Sequence, residues 1–215
     1  MTTIDFNNID FQTGDLILLS GNYFVSSIIS YITHSNWTHI GIVIKDPNFL
    51  INTPPVKGIF MLEADIQNPN DPYVDLESGH YVRGVCLVNL EQRINSYKGG
   101  IAYRKLIWNK TKDEINEIFR IIYNTTYYKN YDLNPFDLLE PIIHHKYLIL
   151  EKILCLDPRR TNKFFCSTLF AYAYTQLQLL KANTNWSDFY PKYFAEISEL
   201  ENNARLSDLL ILKNR

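Results

Sequence analysis

The sequence predicts an α+β domain in which an antiparallel sheet packs against helices. Three observations carry this. Short apolar or β-branched runs recur at Leu16 to Leu19, Thr38 to Lys45, Gly58 to Ala64 and Tyr81 to Asn89. Two longer segments, Thr111 to Tyr123 and Phe165 to Leu180, repeat their apolar residues at helical spacing. Strands and helices are segregated rather than strictly alternating, which favours an antiparallel over a parallel sheet.

The elements follow in order. Thr13-Gly14-Asp15 is a turn and leads into the buried run Leu16-Ile17-Leu18-Leu19. Phe24, Ile28, Ile29 and Ile32 predict a helix that ends at Ser35-Asn36-Trp37. THIGIVIK (Thr38 to Lys45) and GIFMLEA (Gly58 to Ala64) are strands, paired as a hairpin across a Pro- and Asn-rich loop. YVRGVCLVN (Tyr81 to Asn89) is a third, with Cys86 among apolar neighbours. Thr111 and Glu114 form a capping box at the start of an amphipathic helix. Glu140 to Leu156 is expected to be helical. The helix from Phe165 carries Leu169, Phe170, Ala173, Leu177 and Leu180 on one face, and the tail is expected to be partly helical from Ile197 to Leu212.

The chain has 215 residues, of which 46% are hydrophobic, enough for one core. A single domain over 1–215 is expected, with a helical insertion at about 138–160. The net charge is -2 and the basic residues are scattered, so no nucleic-acid partner is expected. The start, MTTIDFNNIDFQTGD, is unlike a secretory signal, and no apolar run approaches the roughly 20 residues that span a bilayer. An intracellular location without a transmembrane segment is the expectation. The three cysteines, Cys86, Cys155 and Cys166, give neither a disulfide framework nor a metal-ligand spacing. The adjacent His144 and His145 would point to different faces of a helix. No metal or cofactor is therefore expected.

Three residues could carry chemistry together. Cys166 starts a helix, where free amide N–H groups and the dipole favour a thiolate. Its own N–H could also serve a developing oxyanion. His39 lies on a strand, alternating with Ile40, Ile42 and Ile44, and Gly41 and Val43 on its own side leave room above the ring for an imidazole that faces a helix across a cleft. Glu63 is a carboxylate inside an apolar strand and needs a partner, which the hairpin supplies as His39. Each also has an ordinary reading: a packed thiol, a core histidine, a strand-end glutamate.

In order, these segments resemble the NlpC-type peptidase superfamily in its permuted branch, which holds YiiX-like, lecithin-retinol acyltransferase-like and poxvirus virion-type proteins. Thr13-Gly14-Asp15-Leu16-Ile17 looks like the opening strand motif. Ser35-Asn36-Trp37-Thr38-His39-Ile40-Gly41-Ile42-Val43 looks like the histidine strand, and Met61-Leu62-Glu63-Ala64 like the strand of the third polar residue. Phe165-Cys166-Ser167-Thr168-Leu169 looks like the nucleophile helix, and Tyr128-Lys129-Asn130-Tyr131-Asp132 like the segment before it. The likeness runs over about residues 11–180. Thr168 stands where many relatives have Glu, and Lys129-Asn130 replaces a glycine.

The resemblance implies a circularly permuted papain-like fold, with His39 and Glu63 ahead of Cys166 in the chain. It implies a thiol hydrolase, a peptidase or amidase, in which Cys166 is the nucleophile, His39 its base and Glu63 the group that orients the base. Tyr131, Asp132, Trp37 and Ser167 are the expected pocket residues, and the substrate a peptide, amide or lipid ester. Two other readings stand beside it. One is a lipid acyltransferase or lipase of the same fold, working at a membrane surface through Trp37, Phe60 or the tract Ile142 to Leu150. The other is a binding or structural module that keeps the fold without chemistry. For a viral chain the expected location extends to a host cytoplasm or a virion. If Glu63 only orients His39, Glu63→Gln is expected to keep the fold and slow turnover.

Overall fold

The computed structural model describes residues 8–21, 35–127, 129–131, 163–164 and 166–214. The expected helix at 23–32, the insertion at 138–160, Asp132 and Cys155 lie outside these, as do His34, His144 and His145.

The described chain is a mixed α+β structure built on one large sheet. Its strands are β1 (Leu16–Ser20), β2 (His39–Lys45), β3 (Ile59–Ile66), β4 (Arg83–Asn89), β5 (Gly100–Arg104), β7 (Asn130–Tyr131), β8 (Lys163–Phe164) and β10 (Leu210–Lys213). They run in the order β10-β5-β1-β2-β3-β4-β7-β8, while β6 (Leu106–Ile107) and β9 (Arg205–Leu206) pair separately. Every pairing in the large sheet is antiparallel except β7 with β8. The helices are α1 (Leu90–Ser96), α2 (Lys112–Thr126), α3 (Cys166–Gln176) and α4 (Pro191–Glu196). The capping box at Thr111 and Glu114 is formed.

The hairpin of β2 and β3 sets the register of the centre, with Ile42 opposite Leu62 and Val43 opposite Met61. A period of two then sorts the side chains. Ile40, Ile42, Ile44, Leu62 and Leu87 share one cluster with α3, through Leu169, Phe170 and Ala173. Ile17, Leu19, Val43, Met61, Cys86 and Val88 form a second, with Phe11, Ile101 and Tyr103. Burial on both faces explains why these strands read as nearly continuous apolar runs.

This arrangement corrects one expectation. Gly41 does not leave open room above His39, because Met61 fills it: a Cβ on Gly41 would lie 2.3 Å from Met61 Cε and 2.7 Å from its Cγ. Gly41→Ala is therefore expected to destabilise by about 1–3 kcal/mol through overpacking. Adding Met61→Ala should recover part of that loss, as read by denaturant unfolding of both variants. Two other positions are tight: Gly14, whose φ of +99° belongs to glycine and whose Cβ would meet Leu106, and Gly99, whose Cβ would lie 1.8 Å from the Ser20 carbonyl oxygen.

Two buried acids pin loops to this frame. Asp15 accepts from the amides of Gln12 and Leu106 and from the Tyr103 hydroxyl. Asp75 accepts from the amides of Ser78 and Leu87 and from the Tyr127 hydroxyl. Arg104, also buried, donates to the carbonyls of Phe194, Ile197 and Ser207 and so ties the C-terminal segment to β5.

That segment is a second correction. The expected partial helix from Ile197 to Leu212 is replaced by β9 and β10, because α4 stops at Glu196. Asn202 and Asn203 turn the chain with positive φ. Leu210 and Ile211 then pair with Tyr103 and Ala102 at the sheet edge, and tertiary pairing overrides local propensity. Helix α3 also stops earlier than expected, at Gln176, and Gln178 beyond it takes a φ of +59° and reverses the chain. Leu177 and Leu180 stay buried beyond its end.

Candidate active site

Cys166, His39 and Glu63 come from three elements, and the fold brings them together. Cys166 is the first residue of α3, so its amide N–H lies among those with no partner inside the helix. Its thiol is free and buried, at 4% exposure. His39 opens β2 at the end of the sheet, where α3 packs against β2 and β3. Glu63 lies in the middle of β3 and is fully buried.

The imidazole joins the other two groups. His39 Nε2 and Glu63 Oε2 lie 2.5 Å apart, a hydrogen bond in which the ring N–H donates to the carboxylate. Its charge and hydrogen-bonding contacts also include Cys166. With Nε2 committed to Glu63, Nδ1 is the nitrogen left for the sulfur. The side chain of His39 keeps 14% of its surface exposed, so the ring borders solvent.

Charge supports the arrangement. Burial alone would push the His39 pKa down, but Cys166 and Glu63 more than offset it and hold it well above the usual histidine range. Burial pushes Glu63 up, yet Arg93 and His39 together bring its pKa down to about 2. Glu63 is thus a carboxylate at neutral pH despite having no contact with water.

Arg93 is the member that sequence reasoning missed. It sits on α1, a helix capped by the Asn89 side chain. Its Nε donates to Glu63 Oε1 at 2.9 Å and its Nη2 to Glu63 Oε2 at 3.2 Å and Asp65 Oδ2 at 3.0 Å. The guanidinium lies over two aromatic rings, 5.2 Å from the Tyr73 centroid and 5.3 Å from that of Tyr97. A sequence signal existed: a carboxylate inside an apolar strand asks for a cation, and a neutral histidine is none. Nothing local pointed to Arg93, thirty residues away.

One ligand atom from each of His39, Glu63 and Asp65 falls within 4.8 Å of the other two, a spacing that a metal ion could use. The guanidinium of Arg93 already bridges the two carboxylates, and Glu63 Oε2 also accepts from His39. The trio is an ion-pair cluster rather than a ligand set.

The pocket residues divide. Ser167 is buried in the first turn of α3, and Trp37 packs at the border of the core just before His39. Tyr131 lies on β7, and Asp132 is outside the described residues. Phe60 is buried in the core at 4% exposure and offers nothing to a membrane, contrary to expectation, because β3 turns it towards the helices. A cleft of about 460 Å³ between Phe60, Tyr73 and Tyr81 contains none of the three reactive groups in its lining.

Comparison with known proteins adds a structural likeness. No family profile and no curated protein matches the chain. Among solved structures it is similar to the metalloprotein YiiX from Escherichia coli O157:H7. The identity is 17%, over 93% of this chain and 88% of that one, with a TM-score of 0.48. Among the described residues no helix is long and apolar enough to cross a membrane.

Proposed function

We propose that the protein is a thiol hydrolase that cleaves an amide or ester through a thioester on Cys166, with His39 as base and Glu63 as its orienting partner. The reading rests on one observation: a single imidazole contacts both the sulfur at the head of a helix and a buried carboxylate.

The chemistry follows from those contacts. The Cys166 proton passes to His39, and the thiolate attacks the carbonyl carbon. Negative charge collects on the carbonyl oxygen, where the Cys166 N–H can donate. The tetrahedral species collapses to a thioester as the imidazolium of His39 gives its proton to the departing amine or alcohol. Water, deprotonated by His39, then attacks the thioester and releases the acid. Glu63 stays ionised throughout, fixes the ring with Nε2 towards itself, and stabilises the imidazolium. If the second attack comes from an amine or alcohol instead of water, the same residues perform acyl transfer.

Iodoacetamide tests the reading without a known substrate. At pH 6 Cys166 is expected to alkylate about tenfold or more faster than a free cysteine, because the imidazolium beside it favours the thiolate. Its rate–pH curve should have two inflections, one for the pair forming and one for His39 losing its proton. Cys86 should stay unlabelled in the native protein, since it is fully buried and its pKa is pushed up by burial. A Cys166 that titrates in one step near the usual thiol range would overturn the proposal and favour a binding module. With a reactive Cys166 in hand, a panel of acyl-peptide and acyl-lipid reporters would separate amide from ester substrates. Turnover should persist in excess chelator.

A further inference from the structure

We propose that Arg93 and Asp65 form a positioning pair, which fixes the plane and the charge of Glu63 so that its second oxygen is presented to His39. The inference deepens the thiol-hydrolase reading and rests on it.

The geometry is specific. Arg93 engages Glu63 side-on, through Nε to Oε1 and Nη2 to Oε2. Two parallel hydrogen bonds set the plane of a carboxylate, which one bond cannot do. The remaining acceptor direction of Oε2 is used by His39 Nε2. Asp65 accepts from the same Nη2 at 3.0 Å, and the Tyr73 and Tyr97 ring centroids lie 5.2 Å and 5.3 Å from the guanidinium carbon. The Arg93 side chain is 9% exposed, so few other orientations are open to it.

The charges make the same point. Glu63 and Asp65 stand two residues apart on β3, so they share a face of the strand. Without a cation between them, two neighbouring carboxylates favour protonation of one, and the fully buried Glu63 would be the one to take the proton. Arg93 bonds both carboxylates and helps hold the Glu63 carboxyl well below the usual carboxylate range. The groups that face His39 are Cys166 from α3 and Glu63 and Asp65 from β3, with Arg93 of α1 one contact further, held by Tyr73 and Tyr97. Arg93 by itself would weaken the imidazolium; Asp65, which lies within 4.8 Å of the His39 nitrogen, restores the balance.

The test is the iodoacetamide rate–pH curve of Cys166 in the wild-type chain, Arg93→Lys and Asp65→Asn, with thermal unfolding of each. Lysine keeps the charge but cannot make the side-on pair. Arg93→Lys should lower the upper inflection by about one pH unit and so narrow the pH range over which Cys166 alkylates fast. Asp65→Asn removes an anion near His39, so the upper inflection should move down by about half a unit or more. Asp65 is partly exposed and the change is isosteric, so this variant reads out even if Arg93→Lys does not fold. Folded variants whose two inflections match the wild type would overturn the positioning pair. A wild-type curve with a single ordinary thiol step would instead overturn the enzymatic reading beneath it.

Discussion

Cys166→Ala is expected to abolish turnover, a loss of about a thousandfold or more, because no other described thiol reaches His39. In the proposed mechanism the sulfur forms the bond to the substrate carbon. Ser167 is next in sequence, but its hydroxyl lacks the polarisable, nucleophilic sulfur atom. His39→Ala should lose nearly as much, since nucleophile and base act as a unit and single removals approach the loss of both. Cys86→Ala is the contrast. Cys86 is buried among Val43, Met61 and Val88, and its thiol donates to the Glu63 carbonyl at 3.7 Å. Its replacement should leave the rate within about twofold and cost about 1 kcal/mol of stability. Initial rates on any substrate found, together with denaturant unfolding, check both. Equal loss from Cys86→Ala and Cys166→Ala would mean that the fold, not the chemistry, is being read.

Glu63→Gln is expected to act on stability and on pH dependence together. Taken from the sequence, the amide is a quiet isostere. The structure changes that expectation, because Glu63 also carries two of the hydrogen bonds of a buried guanidinium. Replacing the anion leaves Arg93 with Asp65 as its remaining carboxyl partner, and removing one member of a buried ion pair costs about 3–5 kcal/mol. The carboxylate's low pKa gives an independent handle. A group held at about 2 in the folded chain against 4.5 unfolded adds stability above pH 4.5, of the order of 3 kcal/mol, and this is lost as the pH falls towards 2. The stability gap between wild type and Glu63→Gln should therefore be widest near neutral pH and narrow between about pH 4.5 and 2. On the alkaline side the sign reverses. His39 has a raised pKa when folded, so its contribution is present below the usual histidine range and lost as the pH rises through the folded value. Glu63→Gln should lower that value, so the loss begins at lower pH and the thiolate–imidazolium pair spans a narrower window. Urea unfolding from pH 2 to 9 reads both limbs. A parallel offset at every pH would show that Glu63 has no ionic role.

Much of this could be read from residue order alone. The strands β1 to β4 follow directly from short apolar and β-branched runs between turn residues. The capped helix at Thr111 was legible because its signals lie within one turn. The pairing of His39 with Glu63 followed from two adjacent strands and the need of a buried carboxylate for a partner. Such features depend on neighbours in sequence or on the pairing of consecutive strands.

Other features needed the whole fold. The space at Gly41 is taken by Met61 across the hairpin, and only packing shows which side stays open. The tail becomes β9 and β10 because unpaired partners wait at Leu106 and β5, roughly a hundred residues earlier. Arg93 reaches Glu63 from a separate helix, in a segment whose local pattern looks like any exposed turn of helix. In sequence terms, the chain determined which groups could react. Tertiary packing decided which of them are held ionised out of water, because burial and charge pairing are properties of contacts between distant segments rather than of any one stretch of chain.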